Sequence, residues 1–136
     1  MINKTREDYL RAIYHLEEEQ NNPQIGSIDL CKYLEVAKPS VSEMLKKLKK
    51  CKLIEHVSYK KIRLTQKGRR ESISVTKRHR LIESFLFKIL NLKPALIHKE
   101  AHKLEHAFSD ESILKINALL KNPKFCPHGK PILINK

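Results

Sequence analysis

Glycine is scarce in this chain, with only 3 among 136 residues. Combined with a charged fraction of 32%, that scarcity excludes a loop-rich protein and predicts a mostly helical one. Cysteine is as sparse. Cys31, Cys51 and Cys126 are odd in number and unrelated in spacing, which speaks against a disulfide scaffold and fits reduced thiols in a cytosol. Long apolar runs are missing too. No stretch approaches the length of a membrane span, and Met1-Ile2-Asn3-Lys4-Thr5-Arg6-Glu7-Asp8 holds no apolar signal core. The expectation is a soluble cytoplasmic protein with no membrane partner. Internal repeats and low-complexity segments are also absent.

Positive charge is what the chain has in excess. Lysine and arginine total 28 against 15 acidic residues, a formal net charge of +13. Such an excess favours a polyanionic partner, because each phosphate contact releases counterions and steers association. A basic surface that serves only solubility is the alternative. With 40% hydrophobic residues the chain can bury a core, as one domain or as two small ones sharing a continuous helical core.

Thr5 reads as an N-cap, with Glu7 and Asp8 in the positive first turn of a helix. Leu10, Ile13 and Tyr14 form its apolar stripe, Glu17, Glu18 and Glu19 follow as a solvated acidic run, and Asn21-Asn22-Pro23 ends it. Ser27 caps a short second helix to Leu34. After a tight turn at Val36-Ala37-Lys38, Pro39 opens a third at its first position. There Val41, Met44, Leu45 and Leu48 face inward, and Ser40, Ser42, Glu43, Lys46, Lys47, Lys49 and Lys50 face outward. Two short helices, the second with a polar and basic outer face, make a helix-turn-helix. Leu53-Ile54-Glu55-His56-Val57 and Ile62-Arg63-Leu64-Thr65 then flank the polar tip Ser58-Tyr59-Lys60-Lys61, a hairpin that serves as a wing. Lys38, Pro39, Ser40, Ser42, Glu43, Lys46 and Lys47, with Tyr59, Lys60 and Lys61 of the wing, are the candidate DNA contacts. The competing reading is a plain helical hairpin with solvated lysines, followed by an edge hairpin that lysines protect from aggregation.

A long helix is expected over residues 65–90, with Ile73, Leu81, Ile82, Phe85, Leu86, Ile89 and Leu90 on its apolar face. Asn91-Leu92-Lys93-Pro94 breaks it, and Pro94 starts the next helix. Ser109 caps a last helix carrying Ile113, Leu114, Ile116, Leu119 and Leu120, and the tail beyond Asn122-Pro123 has no clear periodicity. On the helix from Pro94, His98, His102, Glu105 and His106 share one face, at about 100° per residue. Ile97, Ala101, Leu104 and Phe108 form an apolar stripe beside that face, not on it. Imidazole and carboxylate are ligands that first-row divalent metals prefer. His79 and Glu83 form a further i,i+4 pair on the long helix, and Asp8 is another hard oxygen donor. Solvated side chains are the alternative.

His102-Lys103-Leu104-Glu105-His106 also matches H-x-x-E-H, in which two histidines bind zinc and the glutamate activates water. Hydrolysis needs a further ligand, an open coordination position and a substrate cleft. A chain of this size with a winged helix leaves little room for a cleft, so no enzyme activity and no small organic substrate are expected.

Taken together, the chain resembles the DtxR/MntR family of metal-dependent transcriptional repressors from about Glu7 to Ile132. The resemblance rests on Glu7-Asp8-Tyr9-Leu10-Arg11-Ala12-Ile13-Tyr14, Pro39-Ser40-Val41-Ser42, Leu64-Thr65-Gln66-Lys67-Gly68 and Arg78-His79-Arg80-Leu81-Ile82-Glu83. It continues through the His98–His106 run with Ser109-Asp110-Glu111, and Cys126-Pro127-His128-Gly129-Lys130-Pro131-Ile132. It implies a mostly α protein with a winged-helix DNA-binding domain and small β-hairpin over residues 1–65. A helical dimerisation and metal-binding domain over residues 66–136 would follow, in a short form lacking the SH3-like third domain of longer relatives. By position, the principal site would be Asp8, His102, Glu105 and His106, and a neighbouring one His79, Glu83 and His98, with Glu105 shared or bridging.

Two departures bear on the metal. Position 102 is His, where iron-sensing members carry Cys and manganese-sensing members Glu, and Arg11 stands where the latter place a second carboxylate. Mn(II) or Fe(II) is favoured, and His102 also suits Zn(II). Cys126 and His128 are read as an extra ligand pair or, preferentially, as a structural thiol beside a turn. The implied function is a homodimeric repressor of operator DNA with a divalent metal as corepressor, controlling genes of metal uptake or homeostasis. A metal-independent winged-helix regulator and an H-x-x-E-H zinc hydrolase are the alternatives.

Overall fold

The computed structural model describes residues 4–56 and 61–132. Among these, the elements in chain order are α1 (Arg6–Tyr14), a π-helical turn (His15–Glu19), α2 (Ser27–Leu34), α3 (Lys38–Lys50), β1 (Ile54–His56), β2 (Ile62–Leu64), α4 (Gln66–Lys88), α5 (Pro94–Glu105) and α6 (Asp110–Leu119). They form two compact units, Met1–Val75 and Thr76–Lys136. Among the described residues helix dominates, as the composition predicts, beside a sheet of two strands.

In the first unit Thr5 caps α1 through a reciprocal pair. Its backbone N–H donates to Asp8 Oδ2 at 2.7 Å, and the Asp8 N–H donates to Thr5 Oγ1 at 3.3 Å. Asp8 thus takes the place of the usual glutamate of a capping box. The acidic run after α1 is not simply solvated, as the sequence suggests. Glu17 Oε2 accepts the Leu64 backbone N–H at 3.1 Å, and Glu18 pairs with Arg69. A strand N–H without a ladder partner needs an acceptor, and the π turn brings Glu17 to it.

The helix-turn-helix starts one residue earlier than its sequence signals indicate. Gly26, not Ser27, is the N-cap of α2, and its N–H donates to Asp29 Oδ2 at 2.7 Å. Glu35 then takes a left-handed φ of 55° to turn the chain, and α3 starts at Lys38 with Pro39 as its second residue. Val41, Leu45 and Leu48 are buried, while Ser40, Ser42, Glu43, Lys46, Lys47, Lys49 and Lys50 are exposed. The buried stripe of α3 joins Tyr9, Leu10, Ile13, Ile25, Leu30 and Leu53 in one apolar core.

Among the described residues each strand has three residues, in the antiparallel register Ile54↔Leu64, Glu55↔Arg63, His56↔Ile62, and Val57 of the expected first strand lies outside them. Ile62 also donates its N–H to Ile25 O at 3.0 Å. Tyr59 and Lys60 lie outside the described residues, whereas Lys61 and Arg63 are exposed. Thr65 closes the hairpin onto α4: its Oγ1 donates to Lys52 O at 2.7 Å and accepts the Gly68 N–H at 3.0 Å. A Cβ on Gly68 would lie 1.9 Å from Leu53 O, so the close approach of α4 to that backbone requires glycine.

In the second unit Leu81, Ile82 and Leu86 of α4 are buried, but Ile89 and Leu90 are exposed. The helix ends at Lys88 and Asn91 turns the chain at φ 54°, so those two residues leave the apolar face. Ile97 and Ala101 of α5 pack on Ile82 and Leu86. Ser109 caps α6 by accepting the Ser112 N–H at 3.1 Å, and Leu114 and Leu119 stay exposed at 70% and 56%. The described part of the tail without periodicity forms a tight turn. Cys126 N–H donates to Lys130 O at 2.8 Å, Gly129 takes φ 81°, and Cys126 and Ile132 are buried with Leu81.

Candidate metal centre

The second unit gathers donors around a single carboxylate oxygen. Glu83 Oε2 lies 3.3 Å from His79 Nε2, one helical turn earlier on α4, and 3.3 Å from His98 Nδ1 on α5. The two imidazole nitrogens are 3.2 Å apart, with their rings edge to face at 4.9 Å. Around an ion bonded at about 2.1 Å, neighbouring ligands stand about 3.0 Å apart in an octahedron and about 3.4 Å apart in a tetrahedron. The observed spacings fall between these, so the three donors fit a divalent cation without choosing its geometry. Burial alone would push the Glu83 carboxyl up. Hydrogen bonds with His79 and His98, and the charges of His79 and His128, outweigh it and hold the carboxyl well below the usual carboxylate range. Glu83 is therefore an anion ready to act as a ligand.

A further donor pair reaches Glu83 from the tail. His128 Nδ1 lies 3.6 Å from Glu83 Oε2, and the ligand atoms of Glu83, Cys126 and His128 lie within 4.8 Å of one another. The tail turn, closed by the backbone bonds of Cys126, Gly129 and Lys130, brings this pair to α4. Cys126 is buried with Leu81 and Ile132 beside that turn, as a structural thiol would be, and its sulfur also lies among the donors around Glu83.

The His98–His106 run does not act as one face. His98 turns to His79 and Glu83, while His102 and His106 pair edge to face at 5.5 Å, with α5 ending at Glu105 and His106 as its C-cap. The ligand atoms of His102, Glu105 and His106 lie within 4.8 Å of one another. His79 links the two sets, because its Nδ1 lies 3.3 Å from Glu105 Oε1 while its Nε2 faces Glu83. His102 and Glu105 are buried, and His98 has a side chain 68% exposed. Asp8 belongs to the first unit, where its carboxylate serves the cap of α1 and lies 3.5 Å from Arg11 Nη2.

The other predicted contacts sit on the first unit. Lys38, Pro39, Ser40, Ser42, Glu43, Lys46 and Lys47 are all exposed on α3, and Lys61 is exposed immediately before β2. Arg78 donates to the backbone carbonyls of Glu105 and Phe108 at and just beyond the end of α5. A lone arginine on a helix carries no sequence signal for that role.

A winged helix-turn-helix in one unit and two linked histidine–carboxylate clusters in the other define a DNA-binding protein with metal-ligand chemistry. Residues 1–62 match the family model for the iron dependent repressor N-terminal DNA binding domain, and residues 65–134 match that for the iron dependent repressor metal binding and dimerisation domain. The chain is 35% identical over 128 residues to the iron-dependent repressor IdeR of Mycobacterium leprae, covering 94% of this chain and 55% of that protein. Among solved structures, a manganese-dependent transcriptional repressor in complex with manganese is 34% identical with a TM-score of 0.87, covering 94% of this chain and 58% of that one. ScaR with bound Zn2+ is 34% identical with a TM-score of 0.81, covering 96% and 60%. The chain thus spans about half the length of that IdeR and of the diphtheria toxin repressor of Corynebacterium diphtheriae. It belongs to the iron-dependent repressor family, the DtxR/MntR family of metal-dependent transcriptional repressors.

Proposed function

We propose that this protein is a homodimeric repressor that binds operator DNA when a divalent metal is held by its second unit. The observation that carries the reading is the convergence of His79, Glu83 and His98 at 3.2–3.3 Å, in a chain whose α3 presents an exposed polar and basic face. Buried histidine and carboxylate at ligand spacing are costly to maintain unless paired or coordinated.

In this reading His102, Glu105 and His106 hold the principal metal, and Asp8 joins them from the DNA-binding unit. Bound metal would supply the positive charge that makes four such ligands a stable set. His79, Glu83 and His98 hold the neighbouring one, with Glu105 shared. The N/O donors favour Mn(II) or Fe(II) over soft-site metals, His102 also suits Zn(II), and the Cys126 thiol offers a thiophilic ion an alternative at Glu83. Exposed Leu114 and Leu119 on α6 suit a face covered by a second copy. Asp8 then ties each recognition helix to the dimer, whose two α3 helices must stand about 34–36 Å apart, or a multiple, to enter successive major grooves. Base readout falls to Ser40, Ser42 and Glu43, and phosphate contact to Lys38, Lys46, Lys47 and the wing with Tyr59, Lys60 and Lys61. The site of action is the cytoplasm, and the regulated genes serve metal homeostasis.

The test is selection of binding sites from a random duplex pool with Mn(II) present, followed by titration of the selected DNA with and without chelator. Metal removal is expected to weaken binding by at least tenfold. Unchanged affinity would leave a metal-independent winged-helix regulator as the better reading.

A further inference from the structure

Arg78 immediately precedes His79 on α4, yet its side chain serves a different element. Its Nε donates to the Glu105 backbone carbonyl at 2.7 Å, its Nη2 to the Phe108 carbonyl, and its Nη1 to Asp110 Oδ1 at 2.8 Å. The last carbonyls of a helix have no partner within it and carry partial negative charge, so a guanidinium there satisfies both needs. The fork spans the end of α5, the turn after it and the first residue of α6. Two acceptors are backbone atoms, which a side-chain rotamer cannot move away. The Arg78 side chain is 22% exposed, whereas Asp110 is 97% exposed, so the carbonyl bonds dominate the contact.

Glu105 is consequently held at both ends by adjacent residues of α4. Arg78 binds its main-chain carbonyl, and His79 Nδ1 lies 3.3 Å from its carboxylate Oε1. We propose that Arg78 is a positioning residue for the metal ligands: it fixes the α5 terminus so that Glu105 and His106 stand in register with His79, joining the two ligand sets. A lysine cannot replace it, because one ammonium cannot reach three acceptors in the planar fork that guanidinium supplies. The proposal rests on the metal-binding reading above, and it assigns a role to a residue that touches no ion.

The experiment uses the full chain in a Glu83→Gln background, so that the His102, Glu105 and His106 set reports alone, with Co(II) as the probe. Isotherms and visible spectra at saturation are recorded for this parent and for added Arg78→Ala, Arg78→Lys and Asp110→Ala. Loss of a group that orients ligands typically costs 10–100-fold in metal affinity. Arg78→Ala is therefore expected to weaken Co(II) binding at least tenfold and to change the saturated ligand-field spectrum. Arg78→Lys is expected to restore only part of this, and Asp110→Ala to stay within about twofold. Arg78→Lys also gives the answer if Arg78→Ala does not fold. Wild-type affinity in the Arg78 variants, or weaker affinity with an unchanged saturated spectrum, overturns the proposal. A parent that binds no Co(II) overturns the metal reading itself, a different outcome.

Discussion

The two units bury different chemistry. The first packs Tyr9, Leu10, Ile13, Leu30, Leu45 and Leu48 into one apolar core, with its lysines outside. The second has two small apolar clusters, around Ile82 and Ile97 and around Leu81 and Cys126, and buries His79, Glu83, His102 and Glu105 as well. A core of hydrocarbon is self-sufficient, since burial itself supplies the stabilisation. An interior of imidazole and carboxylate is stable only while each group keeps a partner, so its stability responds to whatever supplies one. The first unit is built to present a fixed surface, and the second to respond to a ligand.

The strongest way to break that comparison is a cavity in the first core. Leu48→Ala is expected to cost about 3 kcal/mol, measured by urea unfolding, with loss of amide protection in α1 to α3 that added metal does not restore. Equal loss of protection throughout α5 and α6 would show that the units share one cooperative core after all. Next in size is the metal. Mn(II) at about a hundred times its dissociation constant should add about 2.7 kcal/mol, appearing as slowed hydrogen exchange in α5 and the second half of α4. In His79→Ala that gain should shrink sharply, and a full gain there would remove His79 from the ligands. Gly68→Ala should cost about 2 kcal/mol of first-unit stability, because the new Cβ meets Leu53 O, a backbone atom that cannot swing aside. A variant as stable as the parent would refute the close approach.

Acid sharpens the comparison with the smallest effect. Glu83 is held below the ordinary range of its carboxyl, so it favours the folded state at pH above its unfolded value. That contribution fades only as pH falls through its depressed folded value. In chelated protein, its side-chain carboxyl resonance should titrate well below the ordinary glutamate range. A midpoint within that range would mean that His79 and His98 do not stabilise the anion.

Much of this was legible because it depends on local periodicity. The α3 stripe of Val41, Leu45 and Leu48, the Thr5 and Ser109 caps and the breaks at Asn91 and Pro94 all follow from residues within a turn or two of one another. The misses share a cause as well. Ile89 and Leu90 continue the periodicity of α4 beyond its end, and Glu17 looks solvated because its partner, Leu64, is 47 residues away. Metal-ligand residue types could be picked out by spacing on one helix, whereas the grouping of His98 with His79 and Glu83 came from the family resemblance alone. Which ligands meet depends on how α4 packs on α5, through Ile82, Leu86, Ile97 and Ala101.

By itself the sequence determined a basic, mostly helical chain with a winged helix, and an inventory of histidines and carboxylates fit for a divalent metal. These follow from composition, charge and short-range pattern, which the chain carries without reference to its fold. Only the tertiary structure decided that Glu83 also meets His128, that Cys126 lies beside them, and that Arg78 holds the end of α5. Those are contacts across 27 to 45 residues. No helical period specifies such contacts; the packing of apolar faces does, and the polar groups go where that packing takes them.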